Sequence, residues 1–217
     1  MAFLAGLNDY LIKNYPNSAI DEAVASQGLY CLHLHGGTTM QGNITANTTY
    51  DIEVTTPDGN RRELPKIQIK MLYPAEYAQP VQAHITIDEA LQTQGLDPIV
   101  AVKQRNFIKN KTLFVLMREQ EALSCTLLEG EILQGCIHSF SRYEITLRIN
   151  EQETVVVLRH AIFDVRNKQG CCFLKASQQT LRDWTKSSLY IDPRPRSQLR
   201  PGLKKSKIKR RRKVIIR

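Results

Sequence analysis

The chain reads LLEGEILQGCIHSFSRYEITLRINEQETVVVLRHAIFDV from Leu127 to Val165. From Tyr143 to Asn150, apolar or aromatic side chains alternate strictly with charged or polar ones. A period of two places one face of a strand in a core and the other in water. Gly135 lies inside the preceding strand, where a glycine weakens packing unless the strand bends sharply. The stretch therefore predicts a small, strongly bent antiparallel β-barrel of five strands.

The same pattern occurs earlier in the chain at a constant offset of 93 residues. Identical residues at this offset are Gly130, Gln134, Gly135, Ile137, Tyr143, Ile145 and Ile162, which match Gly37, Gln41, Gly42, Ile44, Tyr50, Ile52 and Ile69. Such self-similarity indicates an internal duplication. A shorter echo at offset 67 relates residues 87–96 to residues 20–29. An insertion in the second copy and chance similarity between two helices explain this shorter echo equally well.

Periodicity and capping residues predict the elements around the two barrels. Helices are expected at 2–14 and 19–27, and a capping box at Thr86–Glu89 predicts a helix that ends at Gly95. The predicted strands are 29–35, 39–46, 49–56, 60–67 and 69–73 in the first copy, and 122–128, 132–140, 143–150, 153–159 and 162–166 in the second.

These elements predict a mainly β protein with short helices, in which two five-stranded barrels follow each other in tandem. The expected divisions are 1–73 (two helices and a barrel at 29–73), 74–110 (a linker with a short helix), 111–170 (a helix at 111–120 and a barrel at 122–166), 171–192 (a helical segment) and 193–217 (a disordered basic tail).

The positive charge of the chain is concentrated in its tail. The formal net charge is +9, but twelve of the 30 Lys and Arg residues follow Pro193, where no acid occurs. The first 192 residues therefore carry 18 basic and 21 acidic side chains. The tail has too little apolar content to fold alone. It is suited to neutralising phosphates without sequence preference.

The location of the protein is predicted from its cysteines and its apolar segments. The five cysteines are an odd number and do not suggest a secreted disulfide framework. The N-terminus lacks the basic region of a signal peptide, and no uninterrupted apolar run approaches the roughly 20 residues of a membrane span. We therefore expect a soluble, cytoplasmic protein.

The second copy resembles the Sm-like family, and specifically the bacterial RNA chaperone Hfq. The resemblance covers the helical stretch Leu113–Glu119, the strands after it, and Arg159-His160-Ala161-Ile162, which is similar to the family's Lys-His-Ala signature. The first copy resembles the family less closely: Pro65-Lys66-Ile67-Gln68 keeps the basic residue and has no histidine. The resemblance implies two Sm-like barrels.

The same resemblance implies an RNA site. In the family, a base stacks on an aromatic residue at the start of the third strand, and the Lys-His pair makes further contacts. In the second copy the corresponding residues are Tyr143 beside Arg142, and Arg159 with His160. The family also has arginines on its rim at the end of the helix, of which this chain keeps only Arg118. The first copy has Tyr50 and Lys66 at the corresponding positions. Stacking on an aromatic ring contributes about 1–3 kcal/mol per base. The alternative is that Tyr143 is only a barrel residue and Arg159 a solvated one.

The tail is the second candidate for RNA binding. Its basic residues are Lys204, Lys205, Lys207, Lys209, Arg210, Arg211, Arg212 and Lys213, together with four more widely spaced arginines. A flexible basic arm can hold RNA for a barrel to bind. Attraction to a ribosome or a membrane surface is the alternative role.

The sequence favours binding over catalysis. It contains no Gly-rich phosphate loop, nucleophile elbow or zinc-spaced His/Cys cluster. His33 and His35 would share a strand face, but no third metal ligand lies near them in sequence. We therefore predict no enzyme, cofactor or metal, and a non-catalytic RNA chaperone or post-transcriptional regulator that binds single-stranded RNA. The alternative is a protein-interaction scaffold whose tail docks to a ribosome or another acidic partner.

The resemblance also implies an assembly. Sm-like barrels form rings in which the fourth strand of one subunit pairs with the fifth strand of the next. Three chains with two barrels each would make a six-barrel ring, which removes exposed sheet edges. Alternatively, the two barrels pair with each other and the chain stays a monomer, because Pro65 blunts an edge.

Overall fold

The computed structural model describes residues 3–174 and 189–191. Within them the strands are β1 (Phe3–Leu4), β2 (Leu29–Leu34), β3 (Thr39–Asn47), β4 (Asp51–Thr55), β5 (Arg61–Pro65), β6 (Ile69–Pro74), β7 (Ile85–Ile87), β8 (Ala122–Leu127), β9 (Glu131–Phe140), β10 (Glu144–Arg148), β11 (Thr154–Leu158), β12 (Ile162–Asn167) and β13 (Tyr190–Ile191). The α-helices are α1 (Leu7–Asn14), α2 (Ala19–Ser26), α3 (Ala78–His84), α4 (Glu89–Gln92) and α5 (Asn110–Arg118).

Eleven strands form one antiparallel sheet. Its order is β12-β8-β9-β10-β11-β6-β2-β3-β4-β5, with β7 paired to the start of β9, while β1 and β13 form a separate pair. We call β2–β6 the first module and β8–β12 the second module. The mainly β fold with short helices is confirmed. The structure differs from two separate barrels, because β11 pairs with β6 and joins the modules into one sheet. Within the described part of the chain, no pairing between β5 and β12 closes this sheet.

The two modules repeat each other at the offset of 93 residues. The offset relates four strands of the first module to four of the second with identical bounds: β2, β4, β5 and β6 correspond to β8, β10, β11 and β12. The fifth pair is β3 and β9, and β9 is one residue longer than β3. Gln27 and Gln120, 93 positions apart, both adopt left-handed backbone at the end of a helix, with φ of 51° and 50°. The helix equivalent to α2 is therefore α5 and not α4. The echo at offset 67 does not mark an insertion.

Several predicted elements outside the modules differ from those observed. The first helix starts at Leu7, because residues 3–4 pair with residues 190–191 instead. The predicted linker at 74–110 begins with a 3-10 turn at Ala75–Tyr77, which is followed by α3. The residues of the predicted capping box also differ in role: Thr86 lies in β7, and Asp88 caps α4 by accepting a hydrogen bond from the Leu91 amide at 3.0 Å.

The C-terminal helical segment predicted at 171–192 is only partly within the described residues. Residues 171–174 are extended and hydrogen-bond along β12, and residues 190–191 form β13. The rest of that segment and the whole basic tail lie outside the described residues.

Two apolar clusters form the core. The larger one contains α5 and the inward face of the second module, and it extends into the first module through Met71 and Tyr73. The smaller one lies between α2 and the first module, and it includes Leu158 of the second module. Both clusters cross the boundary between modules. The described helices include none with the length and apolar character that a membrane crossing requires.

Candidate nucleic-acid interface

Tyr143 projects from the turn between β9 and β10. Its side chain is 62% exposed, and the Arg142 guanidinium carbon lies 5.4 Å from the centre of its ring. The turn is fixed by two backbone bonds: the Ser141 amide donates to the Glu144 carbonyl at 3.0 Å, and the Arg142 amide donates to the Tyr15 carbonyl at 3.1 Å. An aromatic ring is thus held at the surface with a cation beside it, which is the arrangement that stacks on an unpaired base.

Arg159 lies at this turn. The Arg159 amide donates to the Tyr143 carbonyl at 2.8 Å. The guanidinium donates to the Ile108 carbonyl at 2.8 Å and the Ser141 carbonyl at 3.1 Å. Burial lowers the pKa of Arg159 from its ordinary value, but a guanidinium remains charged at neutral pH. Arg159 therefore fixes the shape of the site and adds positive potential, while Arg142 has the more open guanidinium.

His160 faces the junction between the modules. Its Nε2 lies 3.0 Å from the carbonyl oxygen of Ile69, at the start of β6. Because a carbonyl only accepts, Nε2 carries the hydrogen in this contact. Burial, assisted by the nearby charge of Arg105, lowers the pKa of His160 to about 4. The imidazole is therefore neutral at pH 7 and links the second module to the first.

The first module carries a partial copy of the site. Tyr50 is 78% exposed, and the Lys66 amide donates to the Tyr50 carbonyl at 2.7 Å, which repeats the Arg159–Tyr143 contact. The Lys66 ammonium donates to the Thr48 carbonyl, and burial lowers its pKa. Ile67 stands where the second module has His160. The first module thus keeps the exposed ring, with its cation bonded to a neighbouring loop.

Two groups of predicted residues remain, namely Arg118 and the basic residues of the tail. Arg118 ends α5 and lies on a cleft of about 520 Å³ that is also lined by Tyr10, Gln120 and His138. The lining of that cleft includes neither Tyr143 nor Arg159. The basic residues of the tail, Lys204 to Lys213, lie outside the described residues, so their predicted role stays a prediction.

Sequence reasoning missed Phe107. It belongs to the predicted linker at 74–110, is 47% exposed, and has the Arg159 guanidinium carbon 5.4 Å from its ring centre. No periodic pattern surrounds it, and the duplication offers no counterpart, since the residue 93 positions earlier is Asn14. Only the tertiary packing of the linker brings this aromatic residue to the site.

The predicted histidine pair is engaged inside the protein. His33 Nε2 lies 2.7 Å from the Tyr73 hydroxyl, and His35 Nδ1 lies 3.2 Å from a carboxylate oxygen of Glu129. In the part of the chain that the structure describes, no group of three or more His, Cys, Asp or Glu side chains is placed to hold a metal ion.

Comparison of the chain with protein-family models, with curated proteins and with solved structures finds no match in any of the three.

Proposed function

We propose that this chain binds single-stranded RNA at the Tyr143 surface and acts without catalysis, as an RNA chaperone or post-transcriptional regulator. The observation that carries the proposal is the exposed Tyr143 ring with the Arg142 guanidinium 5.4 Å from its centre. A ring offers its face to any base, and a neighbouring cation attracts phosphate. The fixed turn keeps the ring in place before RNA arrives, which reduces the ordering cost of binding.

Strand order supports an Sm-like, Hfq-like identity for the two modules. In each of them the fifth strand lies beside the first, which gives the order fifth, first, second, third, fourth. The second module's fourth strand, β11, pairs with the first module's fifth strand, β6. This is the pairing by which Sm-like subunits join in a ring. We infer that one chain contains two such units, bent at Gly42 and Gly135.

Equilibrium binding of the full chain to a labelled, unstructured RNA tests the proposal. We expect Tyr143→Ala to weaken binding about fivefold or more, because loss of one stacking contact costs about 1–3 kcal/mol. Tyr143→Phe keeps the ring and should bind like the wild type. Arg61→Ala, at an exposed position on β5 far along the sheet, is the control for a remote surface substitution and should weaken binding much less than Tyr143→Ala.

A second full-length variant separates the surface from the tail. Replacing the eight basic residues from Lys204 to Lys213 with glutamine should reduce affinity and flatten its salt dependence. The Tyr143→Ala effect should persist in this background. If the neutralised tail abolishes all binding and Tyr143→Ala changes nothing, the Tyr143 site is wrong. The interaction scaffold with a docking tail would then be the better account.

A further inference from the structure

The segment before α5 is fixed onto the second module. Asn106 Nδ2 donates to the carbonyls of Ile162 and Phe163, at 3.0 and 2.9 Å, where β12 begins. Ile108 is only 2% exposed and belongs to the larger core cluster. Phe107 lies between these two anchors and is 47% exposed. Its outward position is therefore imposed by its neighbours on both sides.

Arg105 stabilises the approach to this segment. Its Nε donates to the Ile99 carbonyl at 2.9 Å, and a terminal nitrogen donates to the Val100 carbonyl at 3.1 Å. The loop is thus folded on itself before it reaches Asn106. Arg105 also places a positive charge near His160. This charge lowers the pKa of His160, although burial is the larger cause. The segment therefore adds both shape and positive charge to this side of the second module.

One arginine connects Phe107 with Tyr143. The Arg159 amide is bonded to the Tyr143 carbonyl, and the Arg159 guanidinium lies over the Phe107 ring while donating to the Ile108 carbonyl. The same guanidinium donates to Ser141 in the Tyr143 turn. One arginine therefore contacts two exposed aromatic residues, Tyr143 through its backbone carbonyl and Phe107 through its ring, and each ring has a guanidinium beside it.

We infer that Phe107 is a second base-stacking residue of the same RNA site. This inference rests on the proposed function and deepens it. A short stretch of unpaired RNA places one base on Tyr143 and another on Phe107, and Arg142 contacts the phosphate backbone. Arg159 positions both rings. Stacking on two rings selects a flexible single strand over a duplex, in which the bases are not free to separate.

Binding of the full chain to the same unstructured RNA tests this inference. We expect Phe107→Ala to weaken binding about fivefold or more. Phe107→Trp should bind at least as well as the wild type, because it keeps an aromatic face. Phe107→Leu preserves apolar packing without a stacking face, and it should bind like Phe107→Ala. Val102→Ala, at a 74% exposed apolar position of the same segment, is the matched control and should leave binding unchanged.

Photocrosslinking distinguishes direct contact between Phe107 and RNA from a purely structural role of Phe107, because only direct contact produces an adduct. RNA that contains 4-thiouridine should form adducts at Phe107 and at Tyr143 in the wild-type protein. If Phe107→Leu binds like the wild type, or if Phe107 forms no adduct while Tyr143 does, the inference is overturned and the Tyr143 site stands. If Tyr143→Ala also leaves binding intact and neither residue forms an adduct, the proposed function fails together with the inference.

Discussion

At the scale of single residues, two glycines allow neighbouring strands of each module to approach closely. A Cβ atom on Gly135 would lie 2.5 Å from the Arg148 carbonyl oxygen, and one on Gly42 would lie 2.9 Å from the Thr55 carbonyl oxygen. In both cases a backbone carbonyl of the next strand clashes, and the two carbonyls are 93 positions apart; at Gly42 a side-chain carbon of Val54 clashes as well. The close approach of strands requires glycine here, since any side chain would force them apart.

Gly135→Ala should therefore destabilise the protein by about 2–3 kcal/mol, because the neighbouring backbone cannot move away cheaply. Urea unfolding followed by circular dichroism measures this loss. Gly28→Ala is the matched control: its Cβ would meet only side-chain atoms, at 3.4 Å or more. Equal stability of Gly135→Ala and Gly28→Ala would show that the close approach of the strands at Gly135 does not depend on the missing side chain.

At the scale of elements, the N-terminus of α2, which packs on the first module, is bound by a carboxylate of the second module. Glu144 is 3% exposed, and it accepts from the Ser18 hydroxyl at 2.6 Å and from the Ala19 amide at 2.7 Å. The Ser141 hydroxyl donates to it as well, at 3.1 Å. A negative charge at a helix N-terminus is favourable, and here it also satisfies orphan amide groups. One side chain thus positions a helix and links two modules.

Glu144→Ala should lower the free energy of unfolding by about 2–3 kcal/mol. The substitution leaves the Ser18 and Ser141 hydroxyls and the Ala19 amide without their acceptor. Thermal or urea unfolding tests this, with Glu63→Ala on the exposed side of β5 as the charge-matched control, which we expect to change stability by less than about 0.5 kcal/mol. Glu144→Gln keeps one acceptor oxygen and should fall between the two. A wild-type stability for Glu144→Ala would mean that Ser18 caps α2 without help.

At the scale of the whole molecule, the modules are joined by strand pairing and by a buried polar network. Glu129, in the second module, accepts from the Gly36 amide at 2.6 Å and from Lys70 at 2.5 Å. Lys70 is 1% exposed and also contacts Glu131. Both glutamates are therefore paired with a lysine that would otherwise be buried without a counter-charge.

The ends of the joined sheet are protected against further pairing. On β12, the Phe173 amide donates to the Val165 carbonyl at 2.9 Å, so residues 171–174 occupy the outer edge. Val165 is the counterpart of Leu72, which forms the pairing between modules on β6. At the other end, β5 has exposed charged residues and ends at Pro65, which has no amide hydrogen to donate.

We therefore expect the single-chain alternative, and not the three-chain ring that the sequence also allowed. Light scattering of the full-length protein should give the mass of one chain. Glu63→Val with Pro65→Val, which makes β5 a more apolar edge, should promote association, whereas Arg118→Ala, away from either edge, should not. A mass of three chains for the wild type would show that residues 171–174 move away and that the ring forms.

The sequence by itself determined the strands, their repeat and the positions where neighbouring strands approach closely. Strict alternation and paired glycines are local signals, because a period of two and a missing side chain act on neighbouring residues. The residues Arg142, Tyr143 and Arg159 came from the resemblance to the Sm-like family, and their role in binding RNA stays a prediction. The tail and the RNA itself remain predictions from composition and resemblance.

Only the tertiary structure decided how the repeats join and what completes the site. The pairing of β11 with β6, the Glu144 cap and the covered edge of β12 connect residues that are far apart in sequence, and no local pattern encodes such contacts. Phe107 was hidden for the same reason: its exposure depends on where Asn106 and Ile108 are held. The conformational preferences of neighbouring residues determine each strand separately. The partner of a buried charge or of a sheet edge depends instead on the tertiary structure.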